Sequence, residues 1–328
     1  MSHTHAADIY VRSSREPIYF SIFTHDNTIQ TYTMPSLSVL IPTCNYKCYT
    51  LVADLHTQLQ ASGIEYEIIL AEDGSRDQVS IISNHRITEL PHCRHIINRE
   101  NVGRALILNQ MIAQAKGEWC LLTDSDAKVV RNDFISKYLS EIRSGYDIIS
   151  GDLVNPTTLP TPQSALRYRY EKSCETWRTP QSRNHNPYRS FCTFNIMARR
   201  QALLDVPFDP RCTEYGYEDT LLGIELGRRG YKVLHIDNPL MHLGFEPNDK
   251  YLRKVETSLH TLKRLGDSLI GETRITRLSS QLTRMHLAWI VRTAFLITRP
   301  LLRRNLLSQK PNMNIFAFYK LGYYISIP

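Results

Sequence analysis

The chain has 328 residues, 42% hydrophobic and 22% charged, the make-up of a globular protein long enough to bury a full core. No apolar run reaches the ~20 residues of a membrane-spanning helix, and the opening MSHTHAADIYVRSS lacks the apolar stretch of a secretory signal, so a cytoplasmic protein is expected. The net charge of +7 is uneven: residues 250–328 hold 14 Lys/Arg against 3 Asp/Glu (+11), leaving −4 for the first 249, which argues against a basic nucleic-acid cleft.

Taken from the start, residues 1–35 form an N-terminal extension in which YFSIFTHDNTIQTYTM reads as two short strands around an HDNT turn. SLSVLIPT (36–43) is an apolar run stopped by Pro42. YEIILA (66–71), RHIIN (94–98) and EWCLLTD (118–124) are three more runs. Between them lie helical patterns at 49–63 and 103–117, each closed by a glycine. Apolar strands alternating with amphipathic helices predict βαβ units and a mostly parallel sheet buried on both faces. Further on, 146–154 and 190–200 read as strands, 161–178 and 218–230 as helices, and KVLHIDNP as the last strand. From 249 the pattern is helical and basic. The seven cysteines are odd in number and form no CxxC, which suits reduced thiols; Cys44 and Cys48 have no partner pair at zinc-site spacing.

In such sheets ligands bind beyond the carboxyl ends of the strands, where PTCN, EDGS and DSD collect here. In LLTDSDAKV, Asp124 and Asp126 follow an apolar run two residues apart, so an extended backbone would point both the same way. Paired carboxylates repel unless a positive partner sits with them. A hard divalent cation carrying phosphate oxygens is one such partner, and a solvated acidic turn is the bland alternative.

SVLIPTCN, the strand ending in EDGSRD, RENVGRALILNQMIAQAKGEW and LLTDSDAKV together resemble, in order and spacing, the motifs of glycosyltransferase family 2 with the GT-A fold. FNIMARR followed by EYGYEDTLLGIELGRRGYKVLHIDNPLMHLG resembles the acceptor half of such enzymes, its GYED…H pattern being of the galactosyltransferase type. The resemblance implies an α/β, Rossmann-like GT-A domain over 36–245, with a mostly parallel central sheet flanked by helices. A basic helical C-terminal extension would follow over 246–328. It also implies a sugar transfer, hexosyl or N-acetylhexosaminyl, from a nucleotide-sugar, most simply UDP-linked, with Mn2+ or Mg2+ as cofactor.

Residue by residue, the resemblance places Pro42, Thr43 and Asn45 against base and ribose, and Asp73 on the uracil. Asn101, Gly103 and Arg104 would close over the nucleotide. Asp124 and Ser125 would face ribose or donor sugar, and Asp126 and His242 would ligate the metal. Ala127 departs from the pattern, since many relatives carry a third acid there. An inverting transfer needs a carboxylate base, and Asp219 of GYED is expected in that role, with Glu218 beside it holding hydroxyls. Both acids also open a helix, where the dipole favours them for structural reasons alone.

Three other readings share some features. A sugar nucleotidyltransferase would show a glycine-rich basic loop where IPTCNYK stands, and a dinucleotide-binding oxidoreductase would show GxGxxG. A degenerate sugar-nucleotide-binding module would have no need of DSD, EDGS, GYED and His242 together. In the tail, Arg284, Arg292, Arg299 and Arg303 fall on one face of a helix drawn at 100° per residue over 283–304, with a kink expected at Pro300. The helix either packs on the catalytic domain with its arginines in solvent or lies peripherally on an anionic inner leaflet. The second suits a lipid-linked glycan acceptor, as in polysaccharide biosynthesis.

Overall fold

The computed structural model describes residues 19–23, 29–33 and 36–328, with side chains from residue 36 onward except that of Asp267. Strands β1 (Tyr19–Phe23) and β2 (Ile29–Thr33) pair antiparallel; the HDNT turn expected between them lies outside the described residues.

The central sheet is built from β3 (Leu37–Thr43), β4 (Tyr66–Asp73), β5 (Cys93–Asn98), β6 (Trp119–Thr123), β8 (Ile148–Ser150), β10 (Asn195–Arg199) and β11 (Val233–His235). Its order is β11-β8-β10-β6-β3-β4-β5, and β10 alone runs against the rest. A three-stranded sheet of β7 (Ala127–Lys128), β12 (Leu240–His242) and β9 (Leu153–Val154) sits at its carboxyl edge. β3, β4 and β6 read as continuous apolar runs because both sheet faces are covered. One core packs under α1 (Tyr49–Ser62) and α4 (Phe134–Glu141). The other packs under α3 (Arg104–Gln114), α7 (Arg200–Asp205), α8 (Glu218–Arg228) and α9 (Asn248–Leu265). Helices α2 (Gln78–His85), α5 (Ala165–Glu175) and α6 (Pro180–His185) line the carboxyl side.

Several sequence expectations need correction. Pro42 does not stop β3: it stays in register opposite Ala71. A proline is tolerated there because β6 pairs only with Leu37–Leu40, so no ladder bond to that side is lost. Gly63, at φ 70, closes α1 as expected, but α3 ends at Gln114 with Ala115 as its cap. Gly117 serves close approach instead, since a Cβ there would lie 2.5 Å from the Ser38 nitrogen. The 146–154 strand is two strands in two sheets, broken where Asp152 takes φ 67. All seven cysteines are free thiols.

The tail forms α10 (Arg274–Arg284), α11 (Ala288–Leu306) and α12 (Met313–Ser326). Phe295 and Leu306 of α11, with Phe316 and Tyr319 of α12, belong to the same core as α3 and α8. The expected single arginine face over 283–304 is not formed. Arg284 ends a separate helix, while Arg303 and Arg299 turn inward to Glu256 at 3.1 and 3.8 Å. Aligned sequence angles could not foresee that Glu256 on α9 would draw two of the four inward. The helix continues through Pro300.

Candidate active site

Two loops at the carboxyl edge are clipped together by Asn45, whose φ of 53 turns its side chain toward the β4–α2 loop. Its Oδ1 accepts the N–H groups of Arg76 and Asp77 at 2.7 and 2.8 Å, and its own N–H donates to Ser75 at 2.9 Å. Thr43 is buried and donates to the Tyr46 carbonyl. Beneath them Glu72, which the sequence reading passed over, is fully buried; it accepts from Asn84 at 2.8 Å and from Ser75, and faces His95 at 3.3 Å. An acid inside an apolar strand was the available signal.

Asp73 faces the next loop. Its two carboxylate oxygens accept the N–H groups of Val102 and Gly103 at 2.8 and 3.0 Å, and Asn101 donates to its carbonyl. Gly74 makes this approach possible, because a Cβ there would stand 2.3 Å from the Asn101 nitrogen. In this structure the Asp73 side chain therefore shapes loop 101–103. That loop delivers Arg104 to the first turn of α3.

The Arg104 guanidinium joins three chain ends. It bonds Asp124 at 2.6 and 3.1 Å after β6, and Asp219 at 3.0 Å and Thr193 at 2.8 Å at the start of α8 and before β10. Glu218 lies 3.8 Å away. Thr193 also donates its N–H to Asp219 at 3.1 Å, and sequence pattern alone did not single it out. One cation among three carboxylates leaves surplus negative charge. Burial, reinforced by Asp219 and only partly opposed by Arg104, lifts the Glu218 carboxyl to about 7. Burial also raises Asp124 above the usual carboxylate range, with Arg104 opposing and Asp126 adding to the rise. A strained turn aims this pair: Tyr217 takes φ 67, and the Gly216 N–H donates to Glu218 at 3.0 Å.

Asp124 and Asp126 do not share one partner as an extended strand would have required. β6 ends at Thr123, and the chain turns so that the Ala127 N–H reaches the Asp124 carbonyl. Strand alternation stops there, and Asp126 faces His242 instead. Pairing of β12 with β7 sets His242 opposite Ala127, which brings its Nε2 to 3.3 Å from Asp126 Oδ2. The contact is within ion-pair distance, and the nitrogen, buried, makes no well-formed hydrogen bond among the described residues. Nδ1 contacts Glu171 at 2.9 Å, and Arg167 bonds Glu171 at 2.8 Å and the Gly244 carbonyl at 2.8 Å. Glu171 and Arg167 are one helical turn apart on α5, a spacing the sequence reading left unused. Ser125, between the two acids, is half-buried.

A divalent cation fits this donor set. Asp126 would supply a hard oxygen, and His242 a nitrogen free of any well-formed hydrogen bond whose opposite ring nitrogen is fixed by Glu171. Among the described residues no group of three or more His, Cys, Asp or Glu is placed to hold a metal ion. Two protein donors would leave positions for phosphate oxygens and water, as Mg2+ and Mn2+ favour.

The chain is 31% identical over 107 residues to an uncharacterized glycosyltransferase of Haemophilus influenzae; the match takes in 33% of this chain and 42% of that protein. The chain thus spans less than half the length of this curated relative. Its fold is similar to that of a mannosyltransferase from Pyrobaculum calidifontis, with a TM-score of 0.52 and 15% identity over 89% of this chain and 85% of the other. The family model for glycosyl transferase family 2 matches residues 38–206, more than half of the sequence and the whole span from β3 to α7, and the protein belongs to that family.

Proposed function

We propose that this protein transfers a sugar, with inversion at the anomeric carbon, from a UDP-linked donor to a hydroxyl of a glycan or lipid-linked glycan, and needs Mn2+ or Mg2+ to do so. The observation that carries this reading is Asp126 facing, at 3.3 Å, a buried His242 nitrogen that forms no well-formed hydrogen bond, at the carboxyl edge of the sheet. The structurally similar mannosyltransferase is in complex with GDP-Man and Mn2+, which supports a nucleotide-sugar donor and a divalent metal here.

Pro42, Thr43 and Asn45 on one side and loop 101–103 on the other border the nucleotide, with Asp73 holding that loop in shape. Asp124 and Ser125 face ribose and donor sugar. Asp126 and His242 hold the cation, and Glu171 with Arg167 keeps the imidazole oriented. The cation, when bound, supplies Lewis-acid stabilisation of the departing diphosphate. Asp219, the more exposed of the GYED acids and fixed by Arg104 and Thr193, takes the proton of the attacking hydroxyl. Glu218, less exposed, holds acceptor or donor hydroxyls. A cavity of about 230 Å³, lined in part by Asp152, Glu171, Arg178 and Arg183, shares Glu171 with the His242 contact and has room for one sugar ring of the acceptor.

A panel of nucleotide-sugars with product-nucleotide detection, run with metal and with excess chelator, tests the reading. Nucleoside diphosphate release that stops in chelator and in Asp126→Ala, with the variant still folded, is the expected result. Full activity of that variant in chelator would remove the metal role, and pyrophosphate release from UTP and a sugar phosphate would mark a nucleotidyltransferase instead.

A further inference from the structure

The outer face of α11 is apolar and uncovered. Trp289, Ile290, Leu296, Ile297 and Leu301 are each between 45% and 73% exposed. At 100° per residue they fall within an arc of about 140° on one side of the helix. The opposite side is fixed in place: Phe295 and Leu306 enter the core, Phe295 packs edge-to-face on Tyr319 at 5.3 Å, and Arg299 and Arg303 reach Glu256. The helix is therefore held by its inner face while it presents an apolar stripe that nothing in the chain's described residues covers. Single exposed apolar side chains are ordinary, but a continuous stripe along four turns marks a contact surface.

The charge around the stripe identifies what it contacts. Residues 273–328 contain nine Lys/Arg and no Asp/Glu. Arg284, Arg292, Arg304 and Lys310 are exposed around or beyond the stripe, and among the described residues none of them forms an ion pair. A second copy of the chain docked face to face would set these cations against each other. An anionic lipid leaflet offers the complementary arrangement, with hydrocarbon for the stripe and phosphate for the arginines. Among the described residues no helix is long and apolar enough to cross a membrane, and α11 itself carries four arginines and Pro300. We infer that α11 is an interfacial helix whose outward stripe inserts into the surface of an anionic bilayer. The inference is independent of the transferase reading, because it rests on the tail alone.

Vesicle flotation of the full chain tests it, using phosphatidylcholine with and without phosphatidylglycerol. Binding to the anionic vesicles and not to the neutral ones is expected. Trp289→Ser, Ile297→Ser and Leu301→Ser combined should weaken it ~10-fold or more, because the apolar half of the contact is removed. All three side chains are exposed, so the thermal unfolding curve should hold. Arg292→Gln with Arg304→Gln, which leaves the stripe intact, should reduce both binding and its sensitivity to salt. Equal vesicle binding by the native chain and the triple variant would overturn the inference. So would a dimer in sedimentation equilibrium that the triple variant disperses, which would make the stripe a contact between copies.

Discussion

Arg104 and Asp219 meet at 3.0 Å although 115 residues separate them in the chain. Through this contact and its bond to Asp124, one guanidinium ties the loop after β5 to the helix that carries the GYED acids. The two halves of the site are thus a single electrostatic unit, and disturbing either end should be felt at the other.

Arg104→Lys keeps the charge but not the planar fork that reaches Asp124, Asp219 and Thr193 together. A loss of about 1–3 kcal/mol in urea unfolding is expected, from bonds to charged groups that lysine cannot replace. Turnover should fall with it, more steeply than donor affinity. A variant with native stability and native kcat would show that the clamp has no organising role.

Asp219→Asn preserves the shape of the side chain and one acceptor for Thr193 while removing the carboxylate proposed as base. A fall in kcat of ~100-fold or more, with donor binding nearly unchanged, is expected. Loss of stability with kcat intact would leave Asp219 as a helix-opening and clamping residue only.

Glu218 gives a pH dependence of stability. Its carboxyl is raised to about 7 in the folded chain against an ordinary 4.5, so between those values the folded state binds more protons than the unfolded one. Stability should therefore fall as pH rises from 4.5 to 7, with the cost absent below that window and complete above it. The full cost is about 3 kcal/mol, discounted to the extent that the site relaxes. Glu218→Gln lacks this slope, so its melting temperature relative to native should rise between pH 5 and pH 8. Parallel curves for the two proteins would show that Glu218 ionises freely.

Gly244→Ala places a Cβ 1.8 Å from the Asp126 carboxylate and 3.0 Å from His242 Nε2. The carboxylate must swing away, since the other partner in the clash is the new side chain itself. Mn2+ affinity, followed by the spin-resonance signal of the free ion, should drop ~10-fold or more while the fold persists. Unchanged affinity would mean that Asp126 and His242 do not hold the cation.

Much of the architecture was legible in order along the chain. Continuous apolar runs ending in PTCN, EDGS and DSD, with helices between, specify strands buried on both faces and a polar carboxyl edge, because local hydrophobic periodicity is a property of neighbouring residues. The family resemblance, carried by those same motifs, pointed to Asp126 and His242 as one site, and the β12–β7 register brings them together. What sequence could not decide were contacts between distant segments whose residues have more than one chemically sensible partner. The resemblance set Asp73 on the uracil, and no local pattern showed that the close approach at Gly74 also lets it accept the N–H groups of Val102 and Gly103. Asp124 and Asp126 looked alike until the chain turned after Thr123 and gave one an arginine and the other a histidine. The tail shows the same division. Its basic, amphipathic character is written in the residues, but which side meets water was settled by Glu256 drawing Arg299 and Arg303 inward and by Phe295 filling the core, which left the apolar stripe outside.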